Sequence, residues 1–467
     1  MIDETIIALG RICIFTILTG TLTFSANCNK GPTNIPLYCG YGLVFLYVCY
    51  VFSGITFGNG ISLGAEFLFA ILIAILAIGF TIGNDFSKKR IVFANNLGIP
   101  ANPILIKLPV SNKFIFATGI IFVLYINILT NWNPLVLISQ STELKHYRLN
   151  LILVEKDFFL FFLESAVISA LIVGLIWSII CHKDDKSSDR ALSFFLVLIL
   201  LQIISTGARS PLIGIFLLFF LALYEGRKSS SRVKLIFISI KRYKLYIIAF
   251  MTIYMILTTA SRIKYEGLAA SVFKSYFDII DFGLSVVFFQ SDSGILFLLG
   301  TIVVYAADTF NNFVLRFQLA STIDHSLGYQ FLFPYVSFLE PLTKSFTNIM
   351  STWRQISSHN NEILTNVADS ATQWPTLFGD FIWDFGVMGA VIIVFLSSIF
   401  LGYIIGLSRR RPSVANTILK IYLVGSFLLP LVSPFSSLQF HIVCIFLFGF
   451  NWLFASKRKH IKTGTNY

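Results

Sequence analysis

The segment of the chain most suggestive of chemistry is STGARSP, residues 205–211, which carries Arg209 between two short apolar runs. The run that follows, residues 211–224, covers only about 21 Å as a helix with a rise of 1.5 Å per residue. We expect two short helices to meet here in a hairpin whose tip lies below the membrane surface. A guanidinium at that depth costs on the order of 3 kcal/mol unless water or an anion reaches it. Arg209 therefore either binds an anion such as phosphate, or snorkels to the surface or pairs with a carboxylate such as that of Glu164.

Other cations follow the apolar runs in the same way. Arg262 and Lys264 come directly after the run 245–260, and Arg148 ends the sequence KHYR at residues 145–148. Taken alone, Arg262 is typical of an anchor at the membrane interface. Together with Arg209, these three side chains predict a set of phosphate contacts on one side of the membrane.

The composition explains why the elements that position these residues must be membrane helices. Charged residues make up 12% of the 467, the hydrophobic set reaches 56%, and the mean hydropathy is +0.80. A soluble domain carries about 25% charged residues, and a water-soluble fold of this size could not hide so much apolar surface. The net charge of +12 lies mostly in short loops between apolar runs. That distribution indicates membrane orientation and gives no reason to expect a nucleic-acid partner.

The apolar runs predict an all-α polytopic membrane protein, because a bilayer core of about 30 Å needs roughly 20 apolar residues per helix. The N-terminal sequence MIDE has no basic leader, so we interpret the first run as a retained span and not as a signal peptide. About eleven transmembrane helices are predicted, at residues 6–24, 37–55, 66–82, 114–130, 158–180, 191–206, 211–224, 245–260, 382–406, 417–432 and 440–455.

Charge fixes the predicted orientation of these spans. With an outside N-terminus, 23 of the 35 Lys and Arg residues fall in inside loops and 10 fall outside. Since positive charge concentrates in cytoplasmic loops, the C-terminus is predicted to be cytoplasmic.

Three domains follow from this arrangement. They are an N-terminal bundle of eight spans at residues 1–260, a large outer loop at 261–381, and three C-terminal spans with a basic tail at 382–467. Within the loop, the apolar stretch GILFLLGTIVVYA at residues 294–306 is predicted to form a helix that lies at the outer interface or dips back into the membrane.

Three short segments give the chain a resemblance to a known family. They are the Gly-Ala-Arg of residues 207–209, YAADTFNNF at residues 305–313 of the long loop, and TLFGDFIWDFGVMG at residues 376–389, where the chain returns to the membrane. In these segments and in its many spans the chain resembles the O-antigen polymerases, the Wzy family of bacterial glycosyltransferases.

The resemblance implies a GT-C-like enzyme of the bacterial inner membrane with its large, helical loop, between spans 8 and 9, in the periplasm. Such an enzyme transfers a glycan from undecaprenyl diphosphate to a sugar hydroxyl of the next lipid-linked repeat unit. Its partners would be the lipid-linked oligosaccharide, membrane lipids and a chain-length regulator.

The expected chemistry needs cations, because negative charge builds on the diphosphate as it leaves. Arg209 and Arg262 are predicted to bind the diphosphate, with Lys264, Arg148 and Arg354 as helpers. No metal and no cofactor is expected, because outer arginines are available and the outer segments have no Asp-x-Asp sequence. The general base that accepts the proton of the hydroxyl stays open among Glu266, His325, His359 and Asp380; the predicted catalytic set is Arg209, Arg262, His359 and Glu266.

Two other functions remain as alternatives. One is an O-antigen ligase, which uses lipid A core as the acceptor. The sequence His359-Asn360 gives the chain a faint resemblance to this class. The other is a flippase or transporter for the same lipid-linked unit. Transporters usually show internal repeats and broken helices at the membrane midplane, and we find neither clearly in the sequence.

Overall fold

The protein is described by a computed structural model. The residues that the structure describes are 4–28, 34–53, 55–56, 62–96, 110–129, 158–206, 210–227, 230–243, 278–279, 294–325, 327–328, 352, 355–356, 358–360, 362–363, 376–410 and 414–427. Their secondary structure is almost entirely helical. The main helices are α1 (Glu4–Cys28), α2 (Ile35–Ser53), α3 (Leu63–Asn96), α4 (Asn112–Leu129), α5 (Phe158–Ile180), α6 (Lys186–Thr206), α7 (Ser210–Gly226), α8 (Ser231–Arg242), α9 (Gly294–Leu319), α10 (Leu377–Arg410) and α11 (Val414–Phe427).

Several of these helices are long and apolar enough to cross a membrane. Within the described residues there are five: Thr5–Cys28, Ile35–Phe52, Leu63–Lys89, Leu163–Ile180 and Phe378–Arg410. Two shorter apolar helices cover Asn112–Ile128 and Ile215–Gly226. The predicted helical class is therefore confirmed, and the five candidate spans are consistent with a membrane protein; the number of about eleven spans stays a prediction. The predicted spans 245–260 and 440–455 lie outside the described residues.

The described helices belong to two compact units. The first contains α1, α2, most of α3, α9 and most of α10. It also contains two short strands, β1 (Ile55–Thr56) and β2 (Asp278–Ile279), which pair antiparallel with Ile55 opposite Ile279. The second contains α4 to α8 and α11. The predicted three-domain division stays a prediction.

The first unit is organised around an aromatic core that brings α9 to the start of α10. Phe310 of α9 is fully buried, with its ring centre 4.6 Å from that of Tyr50 in α2 and 4.8 Å from that of Phe69 in α3. Phe69 also contacts Phe378 of α10, at 5.6 Å between ring centres. Aromatic pairs at such separations are favourable beyond the area they bury, so these rings join four helices.

Small residues allow α3 and α10 to approach closely. Gly79 and Gly83 lie four residues apart on α3 and face Ser398 and Gly402 on α10. A Cβ atom at Gly83 would overlap a backbone carbonyl of α10, and one at Gly402 would overlap a backbone carbonyl of α3. In lipid, where the hydrophobic effect does not drive helices together, such close backbone packing is a main source of association.

The second unit is built around α5, which contacts α4, α6 and α7. Within its candidate span Leu163–Ile180, 83% is buried, which is typical of a helix enclosed by other helices. The ring of Phe195 in α6 lies directly over Gly174 of α5 and fills the space that a Cβ atom would need. The amphipathic α8 packs on α7.

The apolar stretch 294–306 is helical, as predicted, and forms the first part of α9, which continues to Leu319. Its placement at the outer membrane interface stays a prediction. The described side chains from Thr309 to Arg316 are all buried. A helix that is buried on every face in this way is enclosed by other helices, and this half of α9 therefore positions groups inside the first unit.

Candidate functional site

All five predicted phosphate-binding residues lie outside the described residues: Arg148, Arg209, Arg262, Lys264 and Arg354. The predicted catalytic residue Glu266 lies outside them as well. The two helices that flank the predicted hairpin are described, since α6 ends at Thr206 and α7 begins at Ser210. The predicted roles of these residues stay predictions.

His359 lies in a helical stretch at residues 358–360, and its side chain is exposed. Its neighbour Asn360 is buried, and the Nδ2 atom of Asn360 donates a hydrogen bond to the carbonyl of Asp324 at 2.7 Å. This bond fixes residues 358–360 to the turn that follows α9, which also contains His325.

A buried ion pair joins α9 to α10 beside this turn. The Nη1 atom of Arg316 lies 3.0 Å from Oδ1 of Asp380, and the two side chains are 10% and 11% exposed. Arg316 also donates from Nε to Oδ1 of Asn312 at 2.8 Å. The two helices are in contact here, since a Cβ atom on Gly379 would lie 3.4 Å from Cδ of Arg316.

The surroundings of Arg316 are both aromatic and acidic. Its guanidinium carbon lies 5.1 Å from the ring centre of Trp383, a distance at which a cation is attracted to the ring face. Burial lowers the pKa of Arg316, while the nearby carboxylates of Asp380 and Asp384 act in the opposite direction. The guanidinium stays charged, because an arginine is effectively never deprotonated in proteins.

A kink in α10 supplies the backbone acceptors of the site. Gly386 has φ of 72° and ψ of 177°, which interrupts the helical hydrogen bonding around it. In a regular helix the carbonyls of Trp383 and Asp384 would accept bonds from within the helix. Here the carbonyl of Trp383 lies 3.3 Å from Nδ1 of His325, and that of Asp384 accepts from the backbone N–H of Leu327 at 2.8 Å. The turn after α9 is thus attached to the kink.

The contact with Trp383 determines the tautomer of His325. A carbonyl oxygen can only accept, so Nδ1 of His325 must carry the hydrogen, and in the neutral ring Nε2 keeps its lone pair. Nε2 lies 2.8 Å from the position that a Cβ atom would take on residue 386, so only glycine fits beside it. The arrangement holds a partly buried imidazole with its basic nitrogen next to the kink. We call the residues Arg316, His325, Asp380, Trp383 and Gly386 the kink site.

Of the four candidate bases, two belong to the kink site and differ in their surroundings. Asp380 is paired with Arg316, and a guanidinium partner favours the charged, weakly basic form of a carboxylate. His325 has Nε2 available as an acceptor in the tautomer described above. His359 is exposed, and Glu266 lies outside the described residues.

Sequence reasoning missed Arg316 and Gly386. In the charge count Arg316 is only one of the ten outer cations, and its partner Asp380 is 64 residues away. The signal that could have found the pair is that each charge lies in a mainly apolar helix. Sequence reasoning also overlooked the GxxxG pattern that Gly79 and Gly83 form in α3.

Two further ionisable pairs lie in apolar helices. Arg11 of α1 donates to both carboxylate oxygens of Glu66 in α3, at 3.2 and 3.1 Å, and Tyr47 of α2 donates to the same carboxylate at 2.7 Å. Arg11 and Glu66 thus form an ion pair between α1 and α3. Lys420 pairs with Glu225 at 2.9 Å. In both pairs the positive charge lies close to a negative one, which lowers the cost of placing charges in lipid surroundings.

Among the described residues, no group of three or more His, Cys, Asp or Glu side chains could hold a metal ion. Comparison of the chain with protein-family models, with curated proteins and with solved structures finds no match.

Proposed function

We propose that the protein is an O-antigen polymerase of the Wzy type. In this proposal about eleven spans with a GT-C-like arrangement cross the bacterial inner membrane, with the large loop in the periplasm and the C-terminus in the cytoplasm. The enzyme joins repeat units carried on undecaprenyl diphosphate into a polysaccharide, and it needs no metal.

The observation that carries the proposal is the kink site. Two of the three segments behind the resemblance, residues 305–313 and 376–389, are distant in sequence, yet α9 and α10 bring them together. A Cβ atom on Gly379 would lie 3.8 Å from the Cα atom of Phe313, so the two backbones are in close contact. The polar side chains that the two segments contribute to this contact are buried. Burying polar groups costs free energy, so we expect these groups to serve structure or function.

An oxygen of the acceptor sugar hydroxyl attacks the anomeric carbon of the donor glycan, and the bond from that carbon to the diphosphate oxygen breaks. Undecaprenyl diphosphate leaves with the bonding electrons. Arg209 and Arg262, with Lys264, Arg148 and Arg354, stabilise the charge on the phosphate oxygens through charge-assisted hydrogen bonds.

The proton of the acceptor hydroxyl passes to a general base, and we assign this role to His325. Its tautomer leaves Nε2 as a hydrogen-bond acceptor, whereas Asp380 is engaged with Arg316. In this assignment Arg316 and Asp380 are positioning residues, because they hold α9 and the turn that carries His325 against the kink of α10.

The test of the function is the glycan profile of a strain that lacks the protein. A polymerase predicts lipopolysaccharide with a single repeat unit, whereas bare core would indicate a ligase or a flippase and contradict the proposal. Complementation with Arg209→Ala should give no long chains, and Arg209→Lys should be severely impaired, because an ammonium cannot bind phosphate through a planar fork. Arg190→Ala, at an exposed arginine of α6, is the matched control and should restore normal chains. Normal long chains from Arg209→Ala would reject the proposed role of that residue.

The predicted side of the large loop has its own test. Ser358 is exposed, so Ser358→Cys should react in intact spheroplasts with a thiol reagent that does not cross membranes. Protection of this cysteine until the membrane is permeabilised would place the loop in the cytoplasm and overturn the topology.

A further inference from the structure

The helix α8 combines cationic and apolar residues in a way that the proposed function does not explain. Its sequence SRVKLIFISIKR, Ser231–Arg242, contains four cations and no acidic residue. Val233 is buried against the rest of the second unit, while other apolar side chains of the same helix are exposed. One face of α8 therefore packs on protein, and another carries apolar and cationic groups outward.

The packed face fixes α8 beside the end of α7. The ring of Phe237 lies 5.5 Å from that of Phe220 and 5.9 Å from that of Tyr224, between ring centres. The guanidinium carbon of Arg227 lies 3.5 Å from the ring centre of Tyr224. Phe220 comes six residues before Gly226, the last residue of α7, which is about 9 Å along the helix axis. The middle of α8 thus lies level with the last two turns of an apolar helix.

The first turn of α8 is anchored independently. Oγ of Ser230 accepts from the backbone N–H of Val233 at 3.2 Å, and Asp184 accepts from the backbone N–H groups of Ser231 and Arg232 at 2.8 and 3.0 Å. The hydrogen bond from Ser230 holds the pKa of Asp184 well below its usual range, so a negative charge remains at the helix N-terminus. The orientation of α8 is therefore set by the protein.

The outward face carries Leu235 and Ile238, three residues apart, which are 63% and 48% exposed. Lys234, Lys241 and Arg242 surround them and are exposed as well. Within the part of the chain that the structure describes, no carboxylate forms an ion pair with these three cations. Exposed leucine and isoleucine among cations, beside the end of the apolar helix α7, match the pattern of a helix that lies in the membrane interface.

We propose that α8 lies on the membrane surface at the end of α7 and binds the head groups of anionic phospholipids. Interfacial helices insert their apolar side chains about 5–10 Å into the boundary between head groups and acyl chains. Leu235 and Ile238 then contact acyl chains. Lys234, Lys241 and Arg242 contact phosphate groups, to which an anionic leaflet attracts each cation.

The test is hydrogen exchange of the full-length protein in lipid nanodiscs, measured by mass spectrometry on peptides that cover residues 231–242. One nanodisc contains phosphatidylcholine only, and the other contains phosphatidylcholine with phosphatidylglycerol. We expect exchange in α8 to be on the order of tenfold slower in the anionic nanodisc.

The variant with Lys234→Gln, Lys241→Gln and Arg242→Gln should exchange equally fast in both nanodiscs. Its rate in the neutral nanodisc should equal that of the wild type, which shows that α8 still folds.

The matched control removes three exposed cations from the neighbouring turn and α6, by Lys183→Gln, Lys186→Gln and Arg190→Gln, and should retain the difference between the two lipids. Equal exchange of wild-type α8 in both nanodiscs would overturn the proposal. Protection that appears only after cytosolic protein is added would assign the face to a protein partner and would overturn it as well.

Discussion

Removing the guanidinium of Arg316 should destabilise the protein strongly. In Arg316→Ala the carboxylate of Asp380, which is 11% exposed, loses the cation 3.0 Å away. Breaking a buried ion pair from one side typically costs about 3–5 kcal/mol, because a charge is left in a poorly solvated site. Replacing both partners, as in Arg316→Met with Asp380→Leu, removes the buried charge together with its partner. We expect that variant to recover most of the lost stability.

The assay is unfolding in mixed detergent micelles. The mole fraction of denaturing detergent at the midpoint of the transition, together with the slope of the transition, gives the free energy of unfolding. Lys88→Ala is the matched control, because its pair with Asp85 is exposed, at 57% and 50% for the two side chains. Such a surface pair contributes about 0–1 kcal/mol. If Arg316→Ala and Lys88→Ala changed the free energy of unfolding equally, Arg316 would not be buried in an ion pair, and the description of the kink site would be wrong.

Three other substitutions test the packing and chemistry around the site. Gly386→Ala should lower the free energy of unfolding by about 1–3 kcal/mol, because the backbone conformation of Gly386 is nearly exclusive to glycine. It should also lower polymer formation by displacing His325. Unchanged unfolding and activity would contradict this. Gly83→Leu should prevent stable folding, since even modest overpacking costs about 1–3 kcal/mol. Gly20→Leu is the control and should express and unfold normally, because nothing lies within 4 Å of a Cβ atom added at Gly20. His325→Gln should slow polymerisation by about 100-fold; a larger loss in His359→Gln would move the role of general base to that residue.

The helices that could be predicted well are those whose apolar run ends where the helix ends. The run 158–180 coincides with α5, Phe158–Ile180. The run 66–82 is shorter than α3, Leu63–Asn96, because hydropathy detects the part that suits lipid and not the helix itself. Beyond the run, the pair of Asp85 and Lys88 one turn apart helps the helix to continue in polar surroundings.

Contacts between distant segments could not be predicted from local pattern. The pairing of Arg316 with Asp380 depends on how α9 packs on α10. The acidic pair Asp184-Asp185 lies among lysines, a pattern typical of a solvated loop, yet Asp184 accepts hydrogen bonds at the start of α8, 47 residues later in the chain. The positive φ of Gly386 was hidden as well, since glycines are common in membrane helices without such a kink.

In the proposed function this protein itself forms the bond between repeat units and breaks the bond between the donor glycan and its diphosphate. The most direct measurement is to reconstitute the purified protein in liposomes with an undecaprenyl-diphosphate-linked repeat unit, without added metal and with a chelator present. We predict lengthening glycan chains and the release of one undecaprenyl diphosphate for each bond formed, with both lost in Arg209→Ala. Intact substrate after prolonged incubation with folded protein, or equal polymer from wild type and Arg209→Ala, would contradict the account.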